Sequence, residues 1–186
     1  YVPSTAALAE VSDPDFLGAT SACSVNGYTI TTVPNSDQFQ WFDLRNASSI
    51  DGLSFATAES NGDRNVAGRV ANKDLHLFGE KTVEFYYNSG NPDQAFESKS
   101  IPPLQIGCLA RDSIVLADTG FHWVGRDGQS GGIGVYRMAG GYTAKKISTP
   151  AVDRFLEEYA TPASIHSLGF QFHSHSFYVL HLPGIV

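Results

Sequence analysis

Chemistry in this sequence would fall to its histidines, its closely spaced carboxylates and its oxygen-rich or glycine-rich loops. In "FHSHSFYVL", His173 and His175 are two residues apart, a spacing that in a strand puts both imidazoles on one side, as a metal ion needs. No third histidine or carboxylate lies near them in sequence, so they read as a solvated hairpin corner. Glu80 and Glu84, four apart on a strand pattern, share a face rather than flank a substrate, and read as a solvated rim instead of an acid–base pair. "SDPDF" and "SNGDRN" hold oxygens enough to suggest calcium but lack a twelve-residue ligand series; Asx turns account for both. "GGIGVYR" lacks the strand-then-helix setting of a nucleotide loop and reads as a flexible strand start. Asn46 opens a glycosylation sequon, a frequent chance match. No Ser, Cys or Lys nucleophile is flanked by a convincing base. Cys23 and Cys108 have no zinc-site spacing and read as small buried residues, free or joined in one bridge. The expectation is no catalytic residue, no cofactor and no metal.

The elements that carry these residues follow from a period-two apolar beat broken by Gly, Asn and Asp clusters, the mark of half-buried strands and turns. Hairpin corners are predicted at Asn26-Gly27, Asn72-Lys73-Asp74, Asp118-Thr119-Gly120 and Ser174-His175. The residues that open the following strands, Tyr28, Leu75, Phe121 and Phe177, are separated by 47, 46 and 56 residues. The excess in the last interval is a helix at 149–160, "STPAVDRFLEEYA", with Thr149 as N-cap and proline at the first helical position. Val152, Phe155, Leu156 and Tyr159 would form its buried stripe, with Asp153, Glu157 and Glu158 towards water.

A period near 45 residues built from short antiparallel strands predicts an all-β chain, a β-propeller-like array of four-stranded blades with one short helix. Candidate blades span about 10–45, 60–100, 110–148 and 162–186, either a closed set of four or an open arc of a larger wheel. "DLHLFG" and "FHWVG" would be the same inner strand of successive blades. Leu75, Leu77, Phe121 and Trp123 would then fill the gaps between sheets, and His76 and His122 would point the other way. A β-sandwich explains the strands but not the spacing. "DTGFHW" resembles the Asp-box of sialidase-type propellers, in which the carboxylate caps turn amides and glycine takes positive φ; it reads as a corner device, not an active site.

The 186 residues fit one domain, or a fragment of one, able to bury roughly two thirds of its unfolded surface. The start at Tyr1 without methionine and the stop at "LHLPGIV" read as a fragment. The longest apolar run is far short of the ~20 residues of a membrane-spanning helix, and no leader is visible, which points to a soluble chain. A formal charge of −7, with only Lys145-Lys146 adjacent among the cations, disfavours coating of DNA or of anionic membranes.

Three longer stretches, "LHLFGEKTVEFYYNSG", "WVGRDGQSGG…YRMAGGYTAKKIST" and "HSFYVLHLPG", occur in an order and spacing that resembles the packaged-DNA stabilisation proteins of short-tailed bacteriophages, over roughly residues 10 to 184. The resemblance implies a structural tail hub at the portal vertex, present in the virion and in the host cytoplasm during assembly. It implies a homo-oligomeric ring, a hexamer, between the portal-adaptor tail protein and the tail needle. No sequence-specific nucleic acid, membrane or catalytic residue is implied. Trp41, Tyr86, Tyr87 and Phe96 are the candidate interface anchors, since Tyr and Trp dominate interface energetics; packing in the core is the competing role. The alternative function is a glycan-binding or glycan-hydrolysing propeller, which requires a central pocket lined by arginines and carboxylates, and the arginines are spread along the sequence.

Overall fold

The computed structural model describes residues 10–58, 62–159 and 161–182. Each predicted corner closes an antiparallel pair. Asn26-Gly27 joins β1 (Ser21–Val25) to β2 (Tyr28–Thr32), and Asn72-Lys73 joins β5 (Asn65–Ala71) to β6 (Asp74–Gly79). Asp118-Thr119 joins β10 (Val115–Ala117) to β11 (Gly120–Asp127). The fourth corner falls on His173-Ser174, one residue earlier than expected, between β14 (His166–Phe172) and β15 (His175–His181). The first corner residue is left-handed in every case, with φ of 52° at Asn26, 52° at Asn72, 55° at Asp118 and 46° at His173. That backbone matches the right-handed twist of the flanking strands, and Asn and Asp adopt it at low cost. Corner to corner, the spacing is 46, 46 and 55 residues.

Two further strands complete each of the first three sheets. β3 (Gln38–Trp41) and β4 (Phe55–Thr57) follow β2; β7 (Val83–Asn88) and β8 (Phe96–Ser98) follow β6. β12 (Ile133–Met138) and β13 (Ala144–Lys146) follow β11, and β9 (Ile106–Cys108) pairs with the far half of β11. β9 and β10, linked by the 3₁₀ turn Arg111–Ser113, therefore act as one interrupted strand. β1 packs on β5, and β10 packs on β14 and β15, so the first strands of the blades line the inside of an arc. "DLHLFG" and "FHWVG" do occupy equivalent places, as the second strands of their blades; the strands inside them are β5 and β9–β10.

Side-chain alternation then fixes what each sheet face meets. Leu75 and Leu77 enter the seam with the first blade, where Ile30, Phe39, Trp41 and Phe96 lie. Phe121 and Trp123 enter the seam with the second blade, against Phe78, Val83 and Phe85. The third seam holds Val124, Val135 and Ile165, with Tyr178 and Leu180 from the last hairpin. Measured from the corners, only Leu75 and Phe121 among the four opening residues are equivalent. Tyr28 and Phe177 lie on the opposite faces of their strands, because one position of slip reverses side-chain direction. Tyr28 looks into the first seam, and Phe177 looks away from the third blade.

The helix α1 (Pro150–Tyr159) lies against β12 along one edge. Leu156 is buried, but Val152 and Phe155 remain 40% and 39% exposed, so the expected apolar stripe is only partly covered. Asp153 does not face water: its carboxylate pairs with Lys146 Nζ at 2.7 Å and accepts from Ser148 Oγ. Residue 160, the end of the predicted helix, lies outside the described residues, as do residues 60 and 61 of "SNGDRN".

Asp63 from that loop has a role that local reading did not suggest. Its buried carboxylate crosses to the β6–β7 corner and accepts from Lys81 N, from Thr82 N at 3.0 Å and from Thr82 Oγ1 at 2.9 Å. A Cβ at Gly79 would sit 2.5 Å from Asp63 Oδ2, so glycine leaves room for the cap. Asp63→Ala orphans these donors in a buried setting, and chemical denaturation should show a loss of about 3 kcal/mol, with Asp63→Asn losing less.

Candidate interaction surfaces

The four candidate anchors separate into two environments. Trp41, Tyr86 and Phe96 are 2%, 3% and 1% exposed and meet in the seam between the first two blades. Trp41 and Phe96 rings are 5.5 Å apart, Phe39 and Tyr86 rings 4.9 Å, and Tyr86 donates its hydroxyl to the Thr57 carbonyl of β4 at 2.8 Å. These three pack in the core, the competing role, and act as anchors within the chain: their area is already spent joining blade to blade. Tyr87 is on the surface, its hydroxyl 2.8 Å from Glu97 Oε2.

Glu84 is also corrected from the solvated rim. It is buried, with Tyr86 OH 3.3 Å from Oε2, whereas Glu80 is exposed. Cys23 and Cys108 are free, and burial pushes their thiols up to about 11 and about 12, which keeps both protonated and unreactive at neutral pH. In "DTGFHW" the left-handed residue is Asp118, not Gly120; a Cβ at Gly120 would approach the Met138 carbonyl oxygen to 2.7 Å. The Asp118 carboxylate pairs with Arg137 instead of capping turn amides. His173 and His175 are exposed at their corner, and no group of three metal-ligating side chains occurs among the described residues.

His76 and His122 occupy the same position in successive blades, on the face opposite Leu75 and Phe121 as expected, and each meets the sheet that follows. His76 sits between Phe85 and Phe121, with ring centroids at 5.2 and 5.1 Å, and its Nδ1 is 3.2 Å from the Asp74 carbonyl. His122 stacks on Tyr178 at 5.4 Å, with Nδ1 3.1 Å from the Gly120 carbonyl. Burial lowers both pKa values, against the opposing pull of Asp74 and Asp118; Lys99 near His76 and Arg137 near His122 lower them further. Groups held neutral in the fold contribute stability that is complete above their unfolded value of about 6.5 and is lost as pH falls below it. Unfolding free energy should therefore be lower at pH 5.5 than at pH 7.5, and the His76→Phe/His122→Phe double variant should have a flatter profile across that interval.

Among the described residues, two surfaces stand open. One is the front face of the last hairpin, where cross-strand partners Leu168–Val179 and Phe170–Phe177 are all between 41% and 61% exposed, as is Phe172. Phe170 and Phe177 stack at 5.1 Å. Phe177 corresponds to His122, His76 and Ile30, each of which is covered by the next sheet. The rear face of the first blade differs: it carries Thr29, Thr31 and Gln40, and the segment before β1 covers it through Gln40, which donates to the Asp15 carbonyl and accepts from Leu17 N. The second open surface is a cleft at the inner end of the second and third blades, discussed below.

Short antiparallel sheets that follow one another in sequence order and pack face to face around a common inner edge define a β-propeller. The phage stabilisation family described as bacteriophage P22 Gp10, beta-propeller, matches residues 1–186, and the chain belongs to that family. It is a structural protein of the phage tail that retains packaged DNA. No curated protein matches the chain significantly.

Proposed function

We propose that the chain forms part of a tail hub that closes the portal vertex as a homo-oligomeric ring, a hexamer by family resemblance, contacting the portal-adaptor protein on one side and the tail needle on the other. It acts by shape and stiffness and turns over no substrate. Assembly runs in the host cytoplasm and ends in the virion. The single observation that carries the reading is the family match over residues 1–186. The blades suit the task, because three continuous apolar seams make a rigid body whose corners are free to meet partners. The front face of β14–β15 supports the further reading that another sheet covers it in the assembled particle, since the equivalent face of each earlier blade is covered.

The test is co-sedimentation of the chain with purified portal-vertex complexes, beside a control protein of equal net charge. Saturable retention of the chain but not the control is the expected result. Equal behaviour of the two would remove the hub assignment.

A further inference from the structure

Two adjoining hollows, of about 350 and 330 Å³, share Val66, Glu80 and Leu109 and run along the inner ends of the second and third blades. Four cations from four separate turns and strands border them: Arg64 before β5, Lys81 at the β6–β7 corner, Arg111 between β9 and β10, and Arg126 on β11. The sequence spreads these side chains over more than sixty positions; the fold gathers them. Among the described lining residues, Glu80 and Asp112 are the carboxylates. Arg111 is engaged, with Nε 3.0 Å from Asp112 Oδ1 and an amino group 2.7 Å from the Thr20 carbonyl. Among the described residues the side chains of Arg64, Lys81 and Arg126 make no hydrogen bond or ion pair. In a chain of net charge −7, this cleft is a local excess of positive charge over an apolar floor that includes Val66 and Leu109.

We propose that the cleft binds an extended, carboxylate-bearing segment of a partner protein. Guanidinium groups suit carboxylate and phosphate alike, so the discrimination comes from the walls. Single-stranded nucleic acid is held by stacking its bases on aromatic rings, and among the described residues no aromatic side chain lines either hollow. An apolar floor beneath a cationic rim fits a peptide that alternates acidic and aliphatic residues, with one set of side chains down and the other towards the arginines. The cleft's own charge and shape would select such a segment whether or not the chain acts as a hub.

Fluorescence anisotropy on the whole chain tests it, using a fluorescein-labelled ten-residue peptide alternating Glu and Leu. The comparison probes are the same peptide with Gln in place of Glu and a labelled ten-nucleotide oligothymidylate. The acidic peptide should bind at least tenfold more tightly than either, and more weakly as salt rises. Arg64→Glu/Arg126→Glu should weaken it at least tenfold; both positions are exposed, so an unchanged melting temperature will show the fold intact. Equal affinity for the Gln peptide, tighter binding of the oligonucleotide, an unchanged affinity in the double variant, or no binding at millimolar peptide would each overturn the assignment. The variant also separates this cleft from the exposed apolar hairpin face, which it leaves untouched.

Discussion

Trp123→Ala should destabilise the chain by about 4 kcal/mol, the upper range for truncating a buried aromatic side chain. Trp123 is fully buried in the second seam, 5.4 Å from Phe78 and stacked on Tyr136 at 5.9 Å. Its Nε1 also donates to the Gly107 carbonyl of β9 at 3.2 Å, so truncation leaves both a cavity and a buried acceptor without its partner. No nearby side chain can collapse into the space, because Phe78 and Phe121 already pack edge to face at 5.6 Å. Urea denaturation followed by far-UV circular dichroism is the measurement. A loss below about 1 kcal/mol would mean that the seam is not continuous. Trp123→Phe keeps most of the volume and should lose less than half as much.

The second large effect is on assembly rather than folding. Phe170→Ser/Phe177→Ser should leave the melting temperature of the isolated chain nearly unchanged, because both rings are already over 40% exposed. It should reduce incorporation into the portal-vertex complex on the order of a hundredfold, since covering the remaining area of each ring contributes up to about 2 kcal/mol. Binding of a hydrophobic dye to the free chain should fall in parallel. Wild-type incorporation by the double variant would show that this face stays open in the particle.

Much of this architecture was legible because turn chemistry and sheet periodicity are local. Asn-Gly and Asp-Thr-Gly corners declare themselves within four residues, and equal intervals between them reveal the repeat. The finer alignment was less secure. Tyr28 looked equivalent to Leu75 because both are large and follow a corner, but it precedes Leu75 by one strand position and faces the opposite way. The first blade turns Thr29 and Thr31 to its rear because a segment of its own chain, not another sheet, covers that side, and nothing adjacent in sequence records this.

What escaped sequence reading was long-range. Asp63 caps a corner 18 residues away, and Glu84 sits buried in a strand whose period alone cannot say which face a neighbouring blade will cover. Arg64, Lys81, Arg111 and Arg126 converge only because the inner ends of two blades meet. The helix misled for the opposite reason: its apolar spacing is regular, yet a helix set against the edge of one sheet buries Leu156 and leaves Val152 and Phe155 about two-fifths exposed. Aromatic residues such as Trp41 and Phe96 suit partner interfaces and propeller seams equally by type, and only the fold assigns them to seams.

The stacking of successive sheets with their first strands side by side can be measured by an engineered cross-link. Gly68 of β5 faces β1: its amide donates to Ser21 Oγ at 2.8 Å, and a Cβ built on it lies 3.5 Å from Cys23 Sγ. Gly68→Cys, refolded in a glutathione redox buffer because the Cys23 thiol resists ionisation, should yield one disulfide between position 68 and Cys23 in peptide mapping, with Cys108 still free. A thiol at position 68 that stays reduced, or that pairs with Cys108, would contradict the arrangement of blades described above.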